Sequence, residues 1–159
     1  IKNFPAFTAM LMTLLKLSDL TGATQPPKDE ETKTLMVKCF FYLLSSGISQ
    51  LNKMGHTEIK DWTSKSPDRV YAFAVDGHPE VSAFIRIKAG KSRAGRGEYK
   101  RAMPFFTLRF NNLDSALGIL LSIDDMLEAT KAGRLIMDGG PEFGAQLGGF
   151  MLEVGALAK

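Results

Sequence analysis

Residues 70–88 read VYAFAVDGHPEVSAFIRIK, and the period of their apolar positions decides the class of fold. Val70 to Val75 is a short β-branched and aromatic run, and Asp76-Gly77-His78-Pro79 has the chemistry of a turn. Val81 to Lys88 then alternates: Val81, Ala83, Ile85 and Ile87 share one face, with Ser82, Phe84, Arg86 and Lys88 on the other. After a glycine-rich basic segment that reads as a loop, Pro104 to Phe110 alternates again. Phe106, Leu108 and Phe110 fall together, opposite Phe105, Thr107 and Arg109. Three successive strands with short connections predict an antiparallel meander, because a parallel pair needs a long crossover.

Helices flank this block. Asp29, Glu30 and Glu31 place carboxylates where a helix dipole favours them, and Leu35, Met36, Cys39, Phe40, Leu43 and Leu44 recur at helical spacing. That helix is expected to reach about Asn52, with Gly55 as its stop and a polar connection beyond. Downstream, Asn112 caps a short helix through Leu121. Ser122 and Asp125 have capping-box spacing for a helix over Ile123 to Ala132, ended by Gly133. Arg134 to Asp138 reads as a strand, and Gly139-Gly140-Pro141 as a turn. Phe143, Leu147, Phe150, Met151, Val154 and Leu157 then line one face of a closing helix. Gly140, Gly144 and Gly148 recur in it every four residues. Each interior glycine costs a helix about 1 kcal/mol relative to alanine, so the pattern implies close approach of a backbone or a ligand.

The chain has 159 residues, 45% hydrophobic and 23% charged, which suits one core and excludes a disordered or collagen-like chain. Thr21 to Lys28 (TGATQPPK) reads as a linker, dividing an apolar N-terminal helix and linker at 1–27 from a main domain at 28–159. The apolar run from Phe4 to Leu17 is too short to span a bilayer and lacks a signal-peptide cleavage pattern; it is expected to dock on the body or on a second copy, in preference to a membrane surface. A single cysteine, Cys39, forbids an internal disulfide and fits a reducing, cytoplasmic setting. The net charge of +3 is uneven: Arg86 to Arg101 carries seven basic residues against Glu98, while the remainder is net negative. Such a patch suits a solvated hairpin or transient contact with an anionic membrane. Only Tyr99 lies inside it to stack on a base, which argues against nucleic acid.

Catalytic and metal chemistry find no foothold. His56 and His78 sit in predicted turns with no metal-ligand spacing to each other or to Cys39, which lies on an apolar helix face. Ala89-Gly90-Lys91-Ser92 resembles the end of a phosphate-binding loop, but Ile85 stands where its first glycine belongs. Asp124, Asp125 and Glu128 are accounted for by helix capping. The reading is therefore a non-enzyme with no cofactor. What the chain holds in excess is soft apolar material, with eight methionines and eleven phenylalanines.

From Ile123-Asp124-Asp125-Met126-Leu127 through Gly133-Arg134-Leu135 and Met137-Asp138-Gly139 to the closing helix, the chain resembles the sterol carrier protein type 2 family. The order of elements extends the resemblance over about 28–158; the recognisable residues lie between Asp124 and Met151. The turn at Gly139 to Glu142 is longer than in that family, and the apolar helix before Leu20 is extra. The resemblance implies an α+β fold, with a mainly antiparallel sheet of roughly five strands covered by helices. It also implies an apolar tunnel that carries a fatty acid, acyl-CoA, phospholipid or sterol without transforming it. Helical facing makes Leu117, Leu120, Met126, Leu127, Phe143, Leu147, Phe150 and Met151 the expected tunnel wall, with Phe106 and Leu108 as its floor. Arg86 and Arg109 are the candidates for an anionic head group. The alternative is an interaction module or homodimer whose interior is simply packed.

Overall fold

A computed structural model describes residues 29–121 and 124–156. The expected N-terminal helix and the domain boundary at 27 lie outside these residues, as do Ser122, Ile123 and Leu157. Helix α1 (Glu30–Lys53) begins at Asp29, whose carboxylate accepts from the Thr32 backbone N–H at 2.8 Å. Its buried surface is wider than the sequence pattern suggests: Val37, Phe41 and Ile48 are enclosed along with Met36, Phe40, Leu43 and Leu44, whereas Leu35 faces out. By length and composition α1 could cross a membrane, but most of it is buried, as in a core helix. Gly55, at φ +83°, ends the segment as expected.

The stretch read as a polar connection contains a second helix, α2 (Thr57–Lys65). Its N-cap is His56, whose ring nitrogen accepts from Ile59 N–H, and it turns Ile59 and Thr63 into the interior. The sequence signal is short and mostly polar, with a histidine where Ser, Thr, Asp or Asn usually announces a helix.

Five strands follow: β1 (Arg69–Val75), β2 (Ala83–Lys88), β3 (Lys91–Arg96), β4 (Phe106–Phe110) and β5 (Leu135–Asp138). They lie in the order β3-β2-β1-β4-β5. Three pairings are antiparallel and that of β1 with β4 is parallel, so the expected α+β class and mainly antiparallel sheet of five strands hold. Two local expectations do not.

The first concerns the meander. The Pro104 to Phe110 segment does not continue from β2; as β4 it lies parallel to β1 on the opposite side, Tyr71 beside Phe106 and Phe73 beside Leu108. The crossover is not a helix. The chain leaves β1 through the β2–β3 hairpin and returns through residues 97–105. On that return Tyr99 packs on Phe84, which lies on the outward face, and Phe105 N–H bonds the Val70 carbonyl at 2.9 Å.

The second concerns the basic loop, which contains strand β3. Its only apolar side chain is Ala94, so it shows no alternation, and its charges suit an exposed sheet edge. Gly95 lies beneath the Phe84 ring, and a β-carbon there would collide with it.

Helix α1 packs on the sheet face carrying Tyr71, Phe73, Ile85, Ile87, Phe106, Leu108 and Phe110. The chain closes with α3 (Leu113–Leu120), capped by Asn112, then α4 (Met126–Lys131) and α5 (Pro141–Ala156). Helix α4 starts later than the capping box suggests, because its N-cap is Asp125 itself, accepting from Leu127 N–H at 2.7 Å.

A buried polar cluster locks the β2–β3 turn to the helices. Ala89 and Gly90 both have positive φ, as a two-residue primed turn requires. The Asn52 amide donates to the Gly90 carbonyl at 3.1 Å and to Ser92 Oγ at 2.9 Å, while its oxygen accepts from Thr63 Oγ1 at 2.6 Å. The segment that resembles a phosphate loop is thus a hairpin turn with its backbone already engaged. Asn52→Leu removes three of these bonds at once. It should cost about 2 kcal/mol, the usual penalty for stranding buried partners. Urea titration should show a lower midpoint at unchanged m-value.

Candidate functional site

Helix α5 and the facing strands form the part of the molecule where local sequence rules are broken. Among its glycines, Gly144 is seated against the Met137 thioether and the Phe106 ring, and a β-carbon there would collide with Met137 Sδ. One turn on, Gly148 faces Met126, whose Sδ lies 3.2 Å from where a β-carbon would stand. The close approach implied by the glycine spacing is therefore to methionine side chains, not to another backbone. Gly149, by contrast, has open space around it.

Around this seam Phe106, Leu108, Leu117, Leu147 and Phe150 are buried, and Leu120, Met126, Phe143 and Met151 are half-buried against the same cluster. Leu127 stands apart, 61% exposed on the far side of α4. Met137, which helical facing could not reveal, joins the seam from β5 because it pairs beside Leu108.

The anion-binding candidates go elsewhere. Pleat alternation puts Arg86 and Arg109 on the outward face of the sheet, away from the apolar set. Each is already paired: Arg86 with Asp68 at 2.6 and 2.8 Å, and Arg109 with Asp76 at 2.8 Å and Asp138 at 2.9 Å. The Arg86 contact holds the Asp68 carboxyl below the ordinary carboxylate range, chiefly through its hydrogen bonds.

A different arginine borders the seam. On β1, Arg69 and Tyr71 share the pleat face of Phe73. Tyr71 is 1% exposed and enclosed by Trp62 at 5.1 Å, Phe105 at 5.7 Å, Phe106 at 6.3 Å and Phe143 at 6.4 Å between ring centroids. Its hydroxyl finds no hydrogen-bond partner among the described residues. A buried unpaired hydroxyl costs about 1–3 kcal/mol, so its position calls for a physical reason. Arg69 lies at the rim, its guanidinium 4.0 Å from the Phe105 ring centre. No carboxylate among the described residues lies within ion-pair reach of it. The signal for both residues was present in the i, i+2 spacing that continues back from Phe73.

A separate open cleft of about 420 Å³ lies between the α1–α2 corner and α5, lined by Leu51, Met54, Gly55, His56, Thr57, Glu58 and Glu153. His56 Nε2 and Glu153 Oε2, 3.3 Å apart, bridge it. Its wall mixes apolar residues with His56, Thr57, Glu58 and Glu153, unlike the apolar seam. Cys39 packs against the core, and burial pushes its thiol pKa up, which disfavours a reactive thiolate. Among the described residues no group of three or more His, Cys, Asp or Glu is placed to hold a metal ion.

Two outcomes follow from this geometry. Gly149→Ala should raise stability by about 1 kcal/mol through helix propensity alone, whereas Gly144→Ala should forfeit that gain by displacing Met137; paired thermal melts separate them. In an NMR titration, the Asp68 carboxyl should have a midpoint below that of an ordinary aspartate. With the folded value lowered, the contact's stabilisation is present above the unfolded pKa and is lost as pH falls through the folded one. Arg86→Gln should return the midpoint to the ordinary range.

No protein-family model matches the chain, and no curated protein matches it either. Among solved structures it is similar to sterol carrier protein 2, with a TM-score of 0.46 at 16% identity over 75% of this chain and 95% of that one. It is also similar to the ubiquinone synthesis protein UbiJ-SCP2, with a TM-score of 0.43 at 18% identity over 74% of this chain and 96% of that one. A conserved hypothetical protein from Thermus thermophilus gives a TM-score of 0.44 at 18% identity, over 70% of this chain and 82% of that one.

Proposed function

We propose that this protein binds and carries an apolar lipid chain in the seam between α5 and the sheet, without transforming it. The observation that carries this reading is the pairing of glycines on α5 with thioethers opposite: Gly144 over Met137 and Gly148 over Met126. Glycine at those positions gives up helix propensity and buried area together. Glycine against methionine instead creates a slot occupied by the most adaptable apolar side chain. Methionine has three rotatable bonds, so a guest alkyl chain can displace it without moving the helix backbone. The surrounding phenylalanines and leucines supply the apolar lining that such sites use.

Cargo exchange at an anionic membrane surface belongs to the same reading. Met103 is 92% exposed and sits beside Lys100 and Arg101 in the crossing segment, an apolar tip among cations. Such a tip can enter a lipid interface while its neighbours meet phosphate.

Native mass spectrometry of the purified protein, followed by extraction and identification of what leaves it, tests carriage directly. Bound lipid in excess over its dissociation constant should also raise stability, by about 2.7 kcal/mol at a hundredfold excess. Met137→Ala, at a half-buried position, should lower the stability of the lipid-free protein by about 1–2 kcal/mol, and a saturating fatty acid should stabilise the variant more than it stabilises wild type. A clean lipid-free mass, with no thermal shift from fatty acids, phospholipids or sterols, would leave a packed interaction module as the better description.

A further inference from the structure

We infer that Tyr71 and Arg69 form the head-group subsite of the seam, and that the cargo is a single-chain amphiphile with an anionic oxygen head. The inference rests on the carriage reading and adds to it the polarity and orientation of the ligand.

Three observations converge at one end of β1. The Tyr71 hydroxyl is fully enclosed and, among the described residues, unpaired, a donor awaiting an acceptor in surroundings that are otherwise aromatic. Two residues earlier on the same pleat face, Arg69 is held at the rim by its stacking on Phe105, with Phe143 5.5 Å from its guanidinium carbon. Planar stacking leaves the edge of the guanidinium, where its N–H groups point, open to an oxygen ligand. Finally, this corner adjoins the methionine slot: Tyr71 pairs beside Phe106, whose ring touches the Gly144 position beside Met137. Charge at the rim, a hydrogen-bond donor one step inside and a displaceable apolar filling beyond describe a ligand from head to tail.

The two arginines expected from the sequence do not compete for this role. Arg86 and Arg109 lie on the opposite face with their guanidinium groups engaged by aspartates. The shared chemistry is a carboxylate or phosphate oxygen, supplied either by a free fatty acid or by a lysophospholipid.

The experiment compares the fluorescent fatty acid cis-parinaric acid with its methyl ester on the full chain, with palmitate and a lysophosphatidate as separate competitors. Wild type should bind the acid at least tenfold more tightly than the ester, and whichever competitor displaces it at lower concentration identifies the source of the head. Tyr71→Phe keeps the ring and its packing; it should weaken the acid about fivefold and leave the ester unchanged. Arg69→Met keeps an apolar stem on Phe105 and should abolish most of the discrimination, together with its salt dependence. Equal affinity for acid and ester in wild type, or variants that bind the acid as wild type does, would overturn the subsite while leaving carriage standing. Failure of both probes to bind would overturn the subsite and carriage together.

Discussion

Pairing β1 with β4 in parallel, Tyr71 against Phe106 and Phe73 against Leu108, sets the conditions that the rest of the structure must meet. Because β4 lies on the side of β1 away from β2, the chain has to bring itself back past both strands. It does so over the outward face, where Tyr99 meets Phe84, leaving the other face for the helices. The two sides of the sheet therefore divide their tasks. One carries ion pairs and the returning chain; the other holds the buried aromatic and aliphatic surface. Phe105, the last residue before β4, arrives beside Arg69 and Tyr71 as a direct result of where that return ends.

Along α5 local preference and tertiary role conflict. A helix with glycines at 144, 148 and 149 gives up propensity at each position, and only the first two recover it as close contact. The sulfur atoms of Met126 and Met137 occupy the space that larger helix residues would otherwise take. A seam filled in this manner is dense, with flexible thioethers set beside the Phe106 ring. Aromatic rings cluster at one end, around Tyr71 and Trp62, and flexible side chains at the other.

Much of this is legible in the sequence. Alternation in 81–88 and 104–110 assigned the correct faces to Ile85, Ile87, Phe106 and Leu108, because a pleat allows only two directions. Asn112 and Gly133 marked helix ends through capping chemistry that needs no tertiary help. Strand pairing was less accessible. Nothing local distinguishes a β4 that joins β2 from one that joins β1, and β3 carries too few apolar residues to announce itself. The α2 helix was hidden by its polarity and its histidine cap. Helical facing pointed Leu117, Leu147 and Phe150 inward, where the structure has them, although Leu127 turned outward and Met137 came from a strand. The arginines were harder: Arg86 and Arg109 attract attention as charges in strands, and only the fold shows that Asp68, Asp76 and Asp138 already engage them.

The returning segment at 97–105 also bears on how the chain reaches this arrangement. The β1–β2 and β2–β3 ladders close short loops, so this hairpin can form from neighbouring sequence. The ladder between β1 and β4 joins residues separated by the whole hairpin and its return, so the entropy of a larger loop must be met before any bond rewards it. Until then β1 has an open edge and Tyr71, Phe73 and Val75 lack their neighbours on β4. The order of assembly that follows is hairpin first and central parallel pair later, with β5, which pairs with β4, and α5, which packs on α1 and β4, completing the seam last.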